Sequence, residues 1–456
     1  MKNTRTPLII LAISLFIDLL GFGLVIPLLP VYILHFGGAS WIGGVLLASF
    51  SLMQFIFSPI WGRVSDRHGR RPVILVGLVG SACAFLAFGL ARSLAMLFIA
   101  RVASGILTSA SLPTSQAYIA DVTPPEKRAG GMAVLGAAFG LGFAFGPVIG
   151  GVLSTHPMFG ITPLAMPALF AALLSGLNFC FAFFKLPESH TERNTDHGGK
   201  SVLAVFPDIV TALKNPAIGA QLLVFAVSTF AFTAVESSFS WLVLYRFDHL
   251  LHHVASQSFH LKHPGVPLSS LSLSQQREWF DRAQTAATSR IFGIVGITML
   301  FTQGAVMGGV ASRIGENRLV MFGAALQTLT LFGIAVAPSL AMIYILSAFL
   351  SLATGVMNPA LSALITHAAG PQERGMLSGA QQGLGSMARI IAPPINNYLV
   401  GIQTGIPFFI SSVFMAVAFV FSLRLKPLPA GARPRRGRRG DADTPADAEE
   451  QLSPLH

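Results

Sequence analysis

The chain has 456 residues, of which 53% are hydrophobic and only 11% charged, and its mean hydropathy is +0.66. Soluble domains carry about 25% charged residues, so this composition excludes a soluble enzyme of comparable size, which needs a polar shell. The net charge of +11 falls largely in loops and in the tail, where it reads as orientation in a bilayer rather than as nucleic-acid binding.

Apolar runs long enough to cross about 30 Å of hydrocarbon recur along the whole sequence and predict a polytopic helical membrane protein. The first, 8–34, follows the basic residues Lys2 and Arg5 and has no convincing cleavage site, so it reads as a span rather than a leader. It carries Asp18 about ten residues in, which at 1.5 Å per residue is roughly 15 Å deep. A carboxylate there is costly and marks a candidate for proton or cation handling. The alternative is a structural carboxylate bonded to Ser14 one turn earlier, or to a helix across a cavity.

Span two, 41–61, holds Gln54. Between it and span three, 72–91, lies the sequence GRVSDRHGRR at 62–71, in which Gly62, Asp66, Arg67, Gly69, Arg70 and Arg71 form a G-x-x-x-D-R-x-G-R-R pattern. A tight turn is expected, with the glycines giving backbone freedom and the arginines keeping it cytoplasmic. Asp66 is expected to accept hydrogen bonds from Arg67, Arg70 or Arg71, or to cap the amides of a neighbouring helix. The plainer reading is a charged loop that only sets topology.

Span four, 94–119, carries Arg101 and Gln116. Arg101 is a candidate to tune Asp18, or else an anchor to helix carbonyls. Span five, 129–153, has small residues at 136, 140, 142, 146, 150 and 151 and a proline at 147, a pattern for close helix contact and local flexing. Span six, 165–186, holds Asn178, and a polar segment, 187–216, follows as the expected link between halves.

Span seven, 217–245, places Glu236 high, about 28 Å from its start, where it is expected to be interfacial. It is a candidate for proton coupling or cation recognition, with Arg290 or Arg389 as partners. The segment 246–285 is an unusually long outer loop containing His249, His252, His253, His260 and His263, with 274–287 of helical composition extending the next span outward. Imidazoles suit zinc, nickel or copper, but acidic or cysteine ligands at regular spacing are lacking, so no metal is expected. Span eight, 286–307, holds Gln303; span nine is 319–337; span ten, 339–366, holds Asn358. Span eleven, 375–400, carries Gln381, Gln382, Arg389 and the pair Pro393 and Pro394, and span twelve is 405–425. The tail, 427–456, joins a basic cluster at Arg433, Arg435, Arg436, Arg438 and Arg439 to an acidic one; disorder and contact with anionic headgroups are expected. Cys83 and Cys180 both lie in apolar runs, which argues against a disulfide framework. Gln54, Gln116, Asn178, Gln303, Asn358, Gln381 and Arg389 are the expected polar lining of a cavity, alongside some of the 36 phenylalanines.

One set of loops, at 35–40, 92–93, 154–164, 338 and 401–404, contains only Arg92; the opposite set holds Arg63, Arg67, Arg70, Arg71, Lys127, Arg128, Arg193, Lys200, Lys214, Arg313, Arg318 and Arg374. The positive-inside rule puts both termini in the cytoplasm. The segment 308–318, GGVASRIGENR, echoes 62–71 at a shift of 246, with Arg313 on Arg67, Gly315 on Gly69 and Ser312 in place of Asp66. A second echo links the start of span five (EKRAGGM, 126–132) to that of span eleven (ERGM, 373–376). Weak self-similarity between two halves is the sequence sign of a transporter built from repeats.

The 62–71 motif, together with Arg101 and Gly105, the glycine motif at Gly142, Gly146, Pro147, Gly150 and Gly151, the stretch DLLGFGLVIPLLP from Asp18, and AYIAD ending at Asp121, resembles the major facilitator superfamily over about 8–425. Within it the chain resembles the drug:proton antiporters of the tetracycline-resistance-like branch. The resemblance implies a major facilitator fold of twelve transmembrane helices in two six-helix halves. The first half is 1–186, the linker 187–216, the second half 217–426 with its outer loop 246–285, and the tail 427–456. It implies a cytoplasmic gate network at Asp66 with Arg67, Arg70 and Arg71, proton coupling at Asp18, Arg101 and Glu236, and a flexing helix five.

The expected activity is proton-coupled efflux of a small amphipathic compound or drug by alternating access, from a bacterial inner membrane. A coupled importer or metabolite transporter of the same fold is the first alternative, and a non-transporting scaffold or sensor the second. A cavity with Asp18 on its wall distinguishes transport from scaffold. No enzyme chemistry, catalytic residue or cofactor is expected, and no G-x-x-x-x-G-K-[ST] loop supports ATP drive. The expected partners are a small-molecule substrate, protons and membrane lipid, with the chain a monomer.

Overall fold

The computed structural model describes residues 5–123, 128–154, 162, 164–189, 205–215, 218–305, 311–368 and 374–423. The tail 427–456, Glu126, Lys127, Arg193, Lys200, residues 308–310 of the second repeat and Glu373 lie outside them. Contacts divide the chain after Leu425, and everything described belongs to the first unit.

All regular structure among the described residues is helical. α1 (Arg5–Val25) passes through a short 3-10 turn (Ile26–Leu28) into α2 (Leu29–His35). There follow α3 (Ser40–His68), α4 (Arg70–Gly89), α5 (Leu94–Thr108), α6 (Ser111–Val122), α7 (Arg128–Leu153), α8 (Met166–Lys185) and α9 (Val205–Lys214). The second part contains α10 (Gly219–Arg246), α11 (Asp248–Lys262), α12 (Leu273–Ala305), α13 (Ala311–Ile314), α14 (Glu316–Val336), α15 (Leu340–Ala368), α16 (Arg374–Ile402) and α17 (Ile406–Leu423). Ten stretches among the described residues are long and apolar enough to cross a membrane, with α1–α2 and α5–α6 each counting as one. α7 and α16, of 26 and 29 residues, pack among them. The break after α1 has a clear cause: Pro27 and Pro30 supply no amide to the helical ladder.

Three segments differ from the sequence reading. The 62–71 stretch is not a loop: α3 runs to His68, and the connection is Gly69 alone, at φ +100°, with α4 starting at Arg70. The outer loop is mostly helix. α11 covers much of it, and α12 starts at Leu273, where a reciprocal cap forms between the Ser272 amide and Gln275 Oε1 (3.1 Å) and between the Gln275 amide and Ser272 Oγ (3.4 Å). The linker contains α9, whose Ile209 and Ala212 are buried against Ile218, Leu222, Leu377 and Ala380. The repeat has a conformational counterpart: Gly315, at φ +90°, starts α14 as Gly69 starts α4, at the same shift of 246. An L-residue is strained at such φ, which accounts for glycine at both junctions.

The helices pack in two groups. α7 lies along α1, with Gly142, Gly146 and Gly150 so close that an added Cβ would meet the Phe16, Leu20 and Leu24 carbonyl oxygens at 2.7–2.8 Å. α4 sits against α5 and α8, and α3 against α5. In the second group α10 packs on α16 and α17, and α14 and α12 on α15. Two seams join the groups, α3 with α16 and α7 with α12. In the first, Gly44 lies against the Pro393 carbonyl and Pro394, and Gly43 against Asn397 and Trp241. With its amide turned to satisfy both ends, Asn397 accepts from the Gly44 N–H at 2.9 Å and from Trp241 Nε1 at 3.3 Å. An apolar cluster of Tyr32, Ile33, Leu46, Leu47 and Phe88 with Trp241, Leu244 and Val400 continues this seal across both groups.

The seal occupies one end of the bundle, that of the Gly37 turn. Along α3 the buried residues are concentrated between Ser40 and Ser51, and after them only Ser65 is buried. Gly62 and Gly379, on the far halves of α3 and α16, have nothing within 4 Å of an added Cβ. Toward the Gly69 end both helices thus have glycines that face open space rather than a neighbouring helix.

Candidate functional site

Beneath the seal lies a cavity of about 390 Å³ lined by residues of both helix groups. Its wall is mixed: Phe22, Phe50, Phe85 and Phe232 supply ring surface, and serines, threonines, Gln54 and Gln382 supply hydrogen-bonding groups. Four charged side chains reach it, Asp18 from α1, Arg101 from α5, Glu236 from α10 and Arg389 from α16.

Asp18 is held from α4. Ser81 Oγ, itself fully buried, donates to Asp18 Oδ1 at 2.7 Å, and Ser111 at the start of α6 lies alongside. The alternative bond to Ser14 does not form. Ser14 Oγ donates to the Ile10 carbonyl (2.9 Å) and accepts from Asn178 Nδ2 (3.0 Å), which ties α8 to α1.

Arg101 is 4% exposed. Its guanidinium carbon lies 5.8, 5.9 and 5.2 Å from the ring centres of Phe22, Phe50 and Phe88. Its Nε and Nη2 have no hydrogen-bond partner among the described residues. The acid that acts on it electrostatically is Glu236, not Asp18, and Glu236 in turn feels both Arg389 and Arg101. Glu236 is thus not interfacial: it lines the cavity together with one arginine from each helix group, whereas Arg290 does not reach the cavity wall.

The other expected lining residues divide. Gln54 and Arg389 line the cavity. Asn178 does not; it is 3% exposed and spent on Ser14. Gln116 is exposed away from the cavity, and Gln303 lies beside Gly140 at the α7–α12 seam. Asn358 lies off the cavity wall, and Gln381 donates to Ser362 at 2.9 Å, leaving its neighbour Gln382 to face the cavity. On a helix one residue is a 100° turn, so adjacent glutamines point to different surroundings.

A second polar cluster sits at the Gly69 end. Arg70 donates to Asp66 Oδ1, to Ser65 Oγ (2.8 Å) and, through Nε, to Asp121 Oδ2 (3.2 Å). The N-terminus of α4 is capped by Glu188 rather than by Asp66: the Arg70 and Arg71 amides donate to its two carboxylate oxygens at 2.9 and 3.1 Å. An anion there meets free amides and the positive end of the helix dipole. Arg71 Nη2 reaches the Phe183 carbonyl (2.6 Å), whereas Arg67 is exposed. All these partners belong to the first helix group.

Sequence reasoning missed Ser81 and Glu188. Ser81 had a usable signal, standing with Gly77 and Gly80 on a helix face too small to fill space. Glu188 follows the apolar run of α8, where an acid next to Pro187 suggests a cap. Both cysteines are free and exposed. Among the described residues no group of three or more His, Cys, Asp or Glu could hold a metal, the α11 histidines included.

These features define a multi-pass helical membrane protein in which two packed helix groups enclose an amphipathic, charged cavity closed at one end. The chain belongs to the Major Facilitator Superfamily, whose family model matches residues 11–274 and 256–454. It is 29% identical over 399 residues to the class E tetracycline resistance protein of Escherichia coli, covering 87% of this chain and 88% of that one. It is 27% identical over 441 residues to multidrug resistance protein 1 of Bacillus subtilis (strain 168), covering 93% and 98%. Among solved structures, the crystal structure of the human organic anion transporter MFSD10 (TETRAN) matches with a TM-score of 0.63 at 25% identity, over 92% of this chain and all of that one. The spread of these relatives identifies the superfamily rather than the tetracycline branch. The protein is a secondary transporter of small molecules, not an enzyme.

Proposed function

We propose that the chain is a proton-coupled exporter of small amphipathic compounds, working by alternating access as a monomer among the lipids of a bacterial inner membrane. In this reading α7 and α16 are spans as well, which makes twelve helices in two six-helix halves joined by 187–216. Both termini are cytoplasmic, because the arginine- and lysine-rich connections share a side with the Gly69 turn. The structure is then inward-facing: the sealed Gly37 end is the outer gate, and the Gly69 end opens to the cytoplasm.

The observation that carries the reading is Asp18 on the cavity wall, bonded to Ser81, within a transmembrane helix pair. A carboxylate at that depth is retained at a cost, and proton relay is the usual reason. An outside proton would neutralise Asp18 as substrate leaves, and its release inside would reset the site. The mixed aromatic and polar wall suits an amphipathic compound. The tetracycline and multidrug resistance proteins among the relatives favour export over uptake. Asp66, Arg70 and Asp121 form the inner gate, in its released state here.

The test is transport in proteoliposomes under an imposed pH gradient across a panel of compounds, with Asp18→Asn beside wild type. Counterflow retained with gradient-driven accumulation lost supports the assignment; unchanged accumulation by Asp18→Asn refutes it.

A further inference from the structure

The four charged groups of the cavity are not arranged alike. Asp18 is provided with a hydrogen-bond donor, Ser81. Arg101 is buried with two donor atoms facing no acceptor among the described residues, surrounded by three phenyl rings that offer ring faces but no lone pairs. Guanidinium groups buried in this way are stabilised by bidentate anions, because the planar fork of donors matches a carboxylate or sulfonate. Arg389 comes from the facing helix group, and Glu236 lines the same cavity near enough for both charges to reach it, with no ion pair within 4.0 Å to either. The Arg101 fork thus faces the cavity wall with donor atoms that no acceptor among the described residues takes up.

We propose that the cavity selects aromatic compounds carrying an anionic group, which Arg101 and Arg389 hold, and that Glu236 is the internal stand-in for that anion when the empty cavity closes. The inference rests on the transport reading above and names its substrate class. Its physical basis is the cost of buried unpaired charge: a carrier that reorients empty must not bury a guanidinium group without a close acceptor in the closed state. Glu236 closes on the arginines as the empty carrier reorients and yields to substrate once the cavity has reopened. Arg101 comes from the first helix group while Glu236 and Arg389 come from the second, so either pairing also ties the two groups together across the cavity. The rings around Arg101 receive the aromatic body of the ligand.

The experiment is calorimetric binding to the detergent-solubilised full chain without any gradient, using 2-naphthoate and 2-naphthylmethylammonium as probes of equal ring and opposite charge. Naphthoate is expected to bind at least tenfold tighter than the ammonium compound. Glu236→Gln removes the competitor and tightens naphthoate binding about tenfold, since no second anion then shares the field of the two arginines. Arg101→Gln weakens it by a similar factor, and Arg101→Lys restores part of the loss, which separates charge recognition from misfolding. In proteoliposomes Glu236→Gln keeps naphthoate exchange but loses net transport, because only the empty return needs the stand-in. Ammonium binding as tight as naphthoate, no naphthoate binding, or weaker naphthoate binding by Glu236→Gln overturns the proposal. If this binding pattern holds while pH-driven transport is absent, the anion site stands and proton-coupled efflux falls. If pH-driven transport is present and the pattern fails, the anion site alone falls.

Discussion

Ser81 on α4 donates a 2.7 Å hydrogen bond to Asp18 on α1 from a position with no solvent exposure of its own. That bond orients the carboxylate on the cavity wall. Hydrogen bonds to charged groups contribute about 1.5–3 kcal/mol. Ser81→Ala is therefore expected to retain counterflow and to reduce gradient-driven accumulation about tenfold, whereas Asp18→Asn abolishes accumulation. Equal loss in both variants, measured in the same vesicles, would mean that Ser81 acts only on folding.

Gly44 packs on the Pro393 carbonyl with no room for a side chain. Overpacking a tight contact costs about 1–3 kcal/mol. Here that cost falls on the sealed state alone, because the contact joins the two helix groups. Gly44→Val is expected to shift the population toward a carrier open at the Gly37 end. The readout is a Gln54→Cys reporter in a Cys83→Ser, Cys180→Ser background, alkylated by a membrane-impermeant maleimide: the valine variant should label faster from the Gly37 side. An unchanged rate contradicts the assignment of this contact as a gate.

Arg70 is buried and has two carboxylate partners, whereas Asp66 has a half-exposed side chain. Removing the arginine leaves two acids facing each other, and breaking such a partly buried network costs about 3 kcal/mol. Removing the half-exposed acid alone costs under about 1 kcal/mol. Arg70→Met should thus lower the melting temperature clearly, while Asp66→Asn should leave it nearly unchanged and slow the switch between states. Loss of substrate binding by Asp66→Asn with normal switching would contradict its place in the gate.

Asn178 and Gln382 make a paired test of the cavity wall. Asn178→Ala removes the bond to Ser14 and is expected to cost about 1 kcal/mol of stability with no change in substrate preference. Gln382→Ala, on the wall, is expected to change the relative rates of substrates without a comparable loss of stability. A substrate panel with thermal melts reads both.

Much of the architecture was legible in order along the chain. Apolar length gave the spans because hydrocarbon admits only backbone that satisfies itself, and the two prolines after α1 marked its break. Gly69 and Gly315 were readable as matching junctions because a positive φ admits few other residues. The charged motif located the Gly69 end, although its helical continuation to His68 was not evident: charge and a tolerated Gly62 look alike in a loop and in a helix end. The α11–α12 hairpin was half legible. Its polar histidines suggested a loop, while the Ser272 to Gln275 cap, a local signal for the start of α12, was present in the sequence.

The site itself was legible only as a set of residue types. Asp18, Arg101, Glu236 and Arg389 stand out in sequence because ionisable groups are rare in apolar runs. Their pairing does not stand out. A helix apolar on all sides carries no mark of which face meets the cavity, so its rotation is set by packing against neighbours. Glycine contacts of α7 fix α1, and with it the direction of Asp18 toward Ser81; the α3–α16 seam fixes Gln382 inward and Gln381 aside. The sequence by itself determined that this is a membrane-spanning chain with buried charge and a repeated junction. Only the tertiary structure decided that Glu236 shares one cavity with Arg101 and Arg389, because that cavity brings together residues of α5, α10 and α16 through packing rather than through proximity in the chain.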